Sequence, residues 1–425
     1  MSTTAVRGTF FDFTDDPWNH VGNEKQAARF LADGLLVVTD GIIDAFGPYD
    51  ELAPRYSGVE TVHVKDRIIV PGFIDGHIHL PQTRMLGAYG EQLLPWLQKW
   101  VYPEETKYKD RDYAREGTRR FFDALLAAGT TTFQAFTNAS PVATEELFEE
   151  AGRRNMRVIS GLTGIDRNAP ADFIDTPENF YRDSKRLIEQ YHRKGRNLYA
   201  ITPRFAFGAS PQLLDACRRL KAEHPDCWVN THISENPGEC RRISEKGASV
   251  VFFPCSNLFL GSGLFRLGRA TDPEYRVRMS FGTDMGGGNR FSMINVLDEA
   301  YKVGMCNNTL LDGSIDPVRK DVAEAERNKL SPYRGFWSIT LGGAEGLYLD
   351  DKLGNFEPGK EADFVVLDPD GGQLAQPWHQ SLSADGGSPR TIDDAAELLF
   401  GVMMVGDDRC VDETWVMGKR LYKKP

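Results

Sequence analysis

Val70-Pro71-Gly72-Phe73-Ile74-Asp75-Gly76-His77-Ile78-His79-Leu80 is the stretch from which the rest of the 425-residue chain can be read. An apolar run, Ile68-Ile69-Val70, leads into Pro71-Gly72, and a shorter run, Phe73-Ile74, then ends in two histidines spaced i, i+2. On a β-strand such residues leave the same face. Two neutral imidazoles on one face can grip one metal ion, and His is the commonest metal ligand. Surface or core histidines would produce the same pattern. Here the pair closes a buried-looking strand, with Asp75 two residues before it, so the metal reading turns on whether the chain supplies further ligands.

Outward from this stretch the rhythm is strand then helix. Helices are predicted over 112–128, 142–155, 177–194 and 211–223, and strands over 130–136, 156–161, 197–204, 227–232, 248–254 and 278–284. In the first helix Phe121, Phe122, Leu125 and Leu126 form an apolar stripe, and Gly129 stops it. Alternating strands and helices mean βαβ units and a parallel sheet. This many units predict an α/β fold of the (β/α)8-barrel type over 68–352, with the active site at the C-terminal ends of the strands. Residues 306–334 are polar, with a helical patch at 318–329, and 336–347 reads as the last barrel helix.

Residues before 68 read instead as short strands: 6–13, a hairpin of 34–41 and 42–47 around Asp40-Gly41, and 60–64. Strand signals return at 353–363, 364–369 and 414–422, with 370–395 as a long surface loop. Residues 1–67 and 353–425 are therefore expected to pair into one small composite β-sandwich domain.

The net charge of −11, with no long basic run, argues against nucleic-acid binding. No apolar stretch reaches the length of a membrane span, and the N-terminus shows no signal-peptide pattern. Cys217, Cys227, Cys240, Cys255, Cys306 and Cys410 are scattered without a C-x-x-C, which fits a reduced cytoplasm.

The strand ends carry chemistry. His232 ends the strand at 227–232, and Asp284 ends that at 278–284. With His77 and His79 they make three nitrogens and a carboxylate, a set that can leave a position open for a water whose pKa Zn2+ or Fe2+ lowers. Glu235, three residues past His232, could shuttle a proton there, or could simply be an acid at a helix N-terminus. Arg204 at another strand end requires a partner, either substrate oxygens or a structural carboxylate. The Gln82 amide suits a heterocycle edge, although surface exposure fits it too. No Lys ends the fourth barrel strand, so a bridging carbamylated Lys has no candidate and one metal per chain is favoured.

These residues resemble the metal-dependent amidohydrolase superfamily, and within it the guanine deaminases. The matching motifs are His77-Ile-His-Leu-Pro-Gln82, 87–97, Thr202-Pro-Arg-Phe205, Thr231-His-Ile-Ser-Glu-Asn236, Cys255-Ser-Asn-Leu258, Gly261-Ser-Gly-Leu264 and Gly282-Thr-Asp-Met-Gly-Gly287. The resemblance runs over nearly the whole chain. It implies one zinc on His77, His79, His232 and Asp284, with Fe2+ as the other candidate. It implies Gln82, Arg204 and Phe205 around a purine, with Cys255, Ser256 and Asn257 lining the pocket. The implied reaction is hydrolytic: a metal-activated water attacks C2 of guanine, Glu235 protonates the ring nitrogen, Asp284 takes the water's proton, and ammonia and xanthine result. A homodimer is also implied. The other zinc deaminase design needs P-C-x-x-C, and Pro254-Cys255 is followed here by Ser-Asn-Leu.

The chain departs from the pattern in one place. His232 and Asp284 are 52 residues apart, whereas three barrel units span roughly 90. The unit containing the sixth strand is therefore expected to be missing, with the His that ends it in the family. The eight histidines are His20, His63, His77, His79, His192, His224, His232 and His379, and none falls between His232 and Asp284. Such a loss would open the barrel or force an unusual closure, and weaken or abolish activity. Two other readings stand beside guanine deamination: a mononuclear amidohydrolase of a related heterocycle, such as a triazine or another aminopurine, and a non-catalytic metal-binding or scaffold protein.

Overall fold

The computed structural model describes residues 2–89, 92–233, 247–309, 311, 320–372 and 389–425. Its N-terminal part supplies β1 (Thr3–Phe13), β2 (Ala28–Thr39), β3 (Ile42–Pro48) and β4 (Thr61–Pro71). Asp40 and Gly41, at φ of 50° and 87°, make the tight turn between β2 and β3.

The barrel strands follow: β5 (Phe73–His79), β6 (Thr130–Phe136), β7 (Arg157–Gly161), the short β8 (Thr163–Gly164), β9 (Asn197–Pro203), β10 (Trp228–Val229), β11 (Ser249–Phe252) and β12 (Arg278–Phe281). Helix α1 (Arg111–Ala127) joins β5 to β6, and α2 (Pro141–Arg154) joins β6 to β7. Helix α3 (Pro177–Tyr191) precedes β9, α4 (Pro211–Glu223) precedes β10, and α5 (Met293–Asn308) follows β12. The sequence marks these starts. Pro opens α2, α3 and α4, and the Thr176 and Ser210 hydroxyls accept from Asn179 N–H and Leu213 N–H. The α1 stripe is buried, with Phe121 and Phe122 packed edge-on against Phe133 of β6.

The C-terminal part adds β13 (Phe364–Leu367), helix α6 (Ile392–Val405), β14 (Val411–Val416) and β15 (Lys419–Lys423). The strands from the two ends form one continuous seven-stranded sheet in the order β15-β14-β13-β4-β1-β2-β3. β4 joins the two ends, pairing with β1 on one edge and β13 on the other; Leu36, Val38 and Ile43 of β2 and β3 share one core with Phe364, Val366 and Trp415, and the Ile43 N–H donates to the Lys360 carbonyl. Ile68, Ile69 and Val70 belong to β4 and this sheet, and Gly72 separates them from the first barrel strand. Arg196 and Arg157 tie the barrel to this sheet: Arg196 bonds Asp363 at 2.6 Å and Glu361 at 2.7 Å, and Arg157 pairs with Glu361.

Strands β5, β6, β7, β9 and β10 are parallel neighbours in the order β10-β9-β7-β6-β5, and β11 pairs in parallel with β12. The seam between β12 and β5 is close. The Asp284 N–H donates to the His77 carbonyl at 2.7 Å, and a Cβ on Gly76 would lie 2.4 Å from Ser280 Oγ. Only glycine allows that approach.

Several expectations change. The strand at 227–232 shrinks to Trp228–Val229, the two residues that pair with β9; among the described residues no other strand pairs with it. The helix at 336–347 is two short ones, Pro332–Ser338 and Leu341–Gly346, broken at Thr340 (φ −126°, ψ −102°). The 353–363 segment holds an isolated bridge from Glu361 to Ile42 and no strand. Residues 414–422 fold as a hairpin through Met417-Gly418. The expected loop 370–395 overlaps α6, which Thr391 and Asp394 cap reciprocally and which buries Ala395, Leu399 and Met403; 373–388 lie outside the described residues. Among the described residues no strand pairs with the outer edges of β10 and β11. The missing sixth unit would fall between them, on a segment of which 234–246 lie outside the described residues.

Candidate active site

The two-residue period of β5 puts Asp75, His77 and His79 on one side of the strand, and all three are buried. Asp284, at φ 44°, turns the chain just past β12. His232 follows β10. Its backbone N–H and its Nδ1 both donate to the Arg204 carbonyl, at 3.1 and 2.6 Å. A carbonyl only accepts, so Nδ1 carries the proton and the Nε2 lone pair is free.

These side chains converge. His79 Nε2 lies 3.2 Å from His232 Nε2, and Asp284 Oδ1 lies 3.2 Å from His77 Nε2 and 3.3 Å from His79 Nε2. The ligand atoms of the three histidines are all within 4.8 Å of one another. His77 Nε2 is buried with no hydrogen-bond partner. Burial lowers the His79 pKa, and burial together with His77 and His79 holds that of His232 well below its ordinary value. Burial pushes Asp284 up, but His77 and His79 outweigh it and hold the carboxylate well below its usual range. Imidazole nitrogens packed this closely beside an ionised carboxylate, on rings of which burial favours the neutral form at His79 and His232, are held together by a cation among them. The donor set therefore fits a divalent metal.

Packing fixes the imidazoles. Phe136, at the end of β6, has its ring centroid 5.0 Å from His77, 5.1 Å from His79 and 4.3 Å from His232, and Phe253 stacks on His77 at 4.9 Å. Asp75 points away from the ligand cluster in its bonding. Its Oδ1 accepts from His77 N–H at 3.1 Å and Thr283 N–H at 3.0 Å, and its Oδ2 from the Thr283 hydroxyl at 2.5 Å. Burial pushes its carboxyl up to about 6.

A second polar group adjoins the cluster. Arg204 forms a buried fork with Glu105, at 2.7 and 3.0 Å, over the rings of Tyr102 and Phe173. Gln82 Nε2 donates to the same carboxylate at 2.8 Å. Of the two partners expected for Arg204, the carboxylate is present, and it takes two of its five N–H groups. Phe205 is half-buried and bridges to His232 through its backbone. Cys255, Ser256 and Asn257 lie on a short helix, Pro254–Phe259. A Cβ on Gly287 would meet Ser256 Oγ at 2.7 Å and Asp284 Oδ2 at 3.1 Å, so Ser256 borders the site. Burial pushes the Cys255 thiol up to about 12, a protonated and inert form. Glu235 lies outside the described residues.

Sequence reasoning missed Glu105, Phe136 and Phe253. Phe136 and Phe253 follow the strand-end rule that located the other site residues and could have been found by it. Glu105 sits on a short helix, Tyr102–Thr106, in the connection after β5, and nothing in its neighbourhood distinguishes it from Glu104. A second cluster, His192, Asp226 and Cys227, has ligand atoms close enough for a metal. There the Tyr199 N–H occupies His192 Nδ1, so Nε2 carries the proton and donates to Asp226. That histidine has no lone pair to offer.

The amidohydrolase family profile matches residues 68–250 and 239–421. The guanine deaminase of Escherichia coli K12 is 40% identical over 467 aligned positions, covering 99% of this chain and 98% of that protein. A probable guanine deaminase of Deinococcus radiodurans is 34% identical, covering 94% of each. The crystal structure of guanine deaminase from Bradyrhizobium japonicum superposes with a TM-score of 0.98 at 75% identity, covering 100% of both chains.

Proposed function

The chain belongs to the amidohydrolase family, and we propose that it hydrolyses guanine to xanthine and ammonia at the site formed by His77, His79, His232 and Asp284. The convergence of these four side chains beside the Gln82–Glu105–Arg204 group carries the reading. The likeness over full length to guanine deaminases supports it. Zn2+, or Fe2+ in its place, would make a water acidic enough to act as nucleophile near neutral pH.

The protein's own groups do the rest. Ionised Asp284 has its second oxygen to take the attacking water's proton. Arg204 donates to the purine's O6 and N7 acceptors. Phe205 borders the ring. Glu235 carries a proton to the ring nitrogen, and the amine leaves as ammonia. The four ligands also suit related heterocycles, and a panel of aminopurines and triazines separates these from guanine. Bound metal without turnover of any of them would favour a scaffold.

We also propose that the sixth βα unit is absent. Residues 230–248 separate β10 from β11, nineteen in all. One parallel crossover needs about a dozen residues, and two crossovers with a strand between them do not fit. The 467 positions aligned with the E. coli enzyme exceed the 425 residues here by 42, and the two family matches meet at 239–250. The proposal includes a homodimer, to be checked by light scattering, and a cytoplasmic location. No helix among the described residues is long and apolar enough to cross a membrane.

The test is ammonia release from guanine by the purified, zinc-loaded chain. The expected result is measurable but reduced turnover relative to the E. coli enzyme. No release at any zinc level overturns the function, and an equal rate overturns the impairment.

A further inference from the structure

Glu105 is fully buried, yet it bonds to no metal ligand and faces no solvent. Its backbone is pinned as well: the Asn138 side chain, two residues past β6, donates to the Glu105 carbonyl at 2.6 Å. Its two oxygens carry three bonds, from Gln82 Nε2 to Oε1, from Arg204 Nη2 to Oε1 and from Arg204 Nη1 to Oε2. Each constrains what the partner can offer elsewhere.

A carboxylate can only accept, so the Gln82 amide must turn its NH2 group towards Glu105. That leaves its carbonyl as the group turned away from Glu105. Gln82 Oε1 is indeed buried with no donor of its own. It lies against Gly286, where a Cβ would come within 2.0 Å of it. The same carboxylate takes both Nη groups of Arg204 and so fixes the orientation of its remaining N–H donors. One residue therefore orders a pair: it fixes the acceptor of Gln82 and aims the donors of Arg204.

We propose that Glu105 is the positioning residue that makes this site select a ring lactam, a donor N–H beside a carbonyl acceptor, over a ring amidine. The inference rests on the purine reading above. Guanine offers N1–H as donor beside O6 as acceptor. 2,6-Diaminopurine carries the same reacting 2-amino group, but it presents N1 as acceptor beside an amino donor at position 6. Against a fixed acceptor and fixed donors, guanine pairs on both and 2,6-diaminopurine clashes on both. Sites built to hydrogen-bond one arrangement reject the other strongly, because the mismatch leaves buried polar groups unpaired.

The experiment compares kcat and KM for guanine and for 2,6-diaminopurine in the zinc-loaded wild type and in E105Q. A Gln at 105 has one acceptor and one donor face, so it releases the Gln82 amide to turn over and opens the Arg204 fork. Bound zinc is expected to stay at one per chain. The KM for guanine is expected to rise more than kcat falls, and kcat/KM for guanine to drop on the order of a hundredfold, as for a loss of alignment. The wild-type preference for guanine over 2,6-diaminopurine is expected to collapse. An unchanged preference ratio overturns the proposal. So does a loss of zinc with equal loss on both substrates, which marks a merely structural role. If E105Q does not fold, E105D keeps the charge but withdraws it by one methylene, and the same collapse is expected. A wild type that turns over neither purine overturns the proposed function; calorimetric Kd values for the two purines on that protein and on E105Q then read the same preference.

Discussion

Replacing Asp75 by alanine should unlock the seam on which the metal ligands stand. The carboxylate satisfies two buried backbone donors, His77 N–H and Thr283 N–H, and the Thr283 hydroxyl. D75A leaves both N–H groups buried without an acceptor. Each orphan costs about 1–3 kcal/mol, so the two cost about 2–6 kcal/mol, a large share of a stability of about 5–15 kcal/mol. D75N behaves differently. Its oxygen can still accept both N–H bonds, and its NH2 can donate to the Thr283 hydroxyl. It exchanges charged bonds for neutral ones, a loss of about 1 kcal/mol each, and it also removes the burial penalty that raises the Asp75 carboxyl to about 6. Its net cost should stay within about 2 kcal/mol. Urea unfolding of the chelator-treated proteins measures both, with zinc content read separately. An alanine variant as stable as wild type, or an asparagine variant as damaged as alanine, would refute the clamp.

Two further outcomes follow from the same geometry. Dialysis against dipicolinate should abolish ammonia release and Zn2+ should restore it, with one metal per chain by elemental analysis; activity that survives complete metal removal sinks the metal reading. Glu361 is pushed up by burial, but Arg196 and Arg157 carry it below its ordinary value of 4.5. A lowered folded pKa means its contribution is complete above about pH 4.5 and is lost as pH falls through the folded value. The melting-temperature gap between wild type and E361Q should therefore narrow from pH 7 towards pH 3.5, and a gap that widens on acidification contradicts the ion pairs.

Periodicity was enough for the barrel because its strands are buried and its helices amphipathic. Thr130–Phe136 and Pro211–Glu223 announce themselves by composition and by Ser-Pro starts. The converging side chains were legible for a related reason: the active end of a barrel is a fixed place, so His77, His79, His232 and Asp284, the proposed ligands, stand out there. Glu105 was not legible, because it reaches the site from a connection whose course depends on packing with Asn138 and Arg204, both distant in sequence. Helix α6 was hidden by the Gly- and Pro-rich segment before it. The length of the strand at 227–232 failed for another reason. Residues of good strand propensity form a strand only as far as a neighbour pairs with them, and among the described residues Trp228 and Val229 pair with Ala200 and Ile201 alone.

The proposed loss of the sixth unit would leave the four converging side chains of the site largely undisturbed. His77 and His79 stand on β5 and Asp284 follows β12, and the seam between those strands is shut by Asp75 and by the Asp284 N–H bond. None of these anchors lies on the outer edges of β10 or β11, with which no strand among the described residues pairs. His232 follows β10, with Ile233 beside it 53% exposed. Yet its ring is aimed by the carbonyl of Arg204, one residue past β9, and is wedged against Phe136. The side chain is therefore held from the inner, paired side of β10. Absence of the proposed sixth unit would leave these anchors in place and remove only the wall between β10 and β11. The cost would then fall on closing the pocket over a substrate and on keeping bulk water from it, which are steps of turnover and not of metal binding.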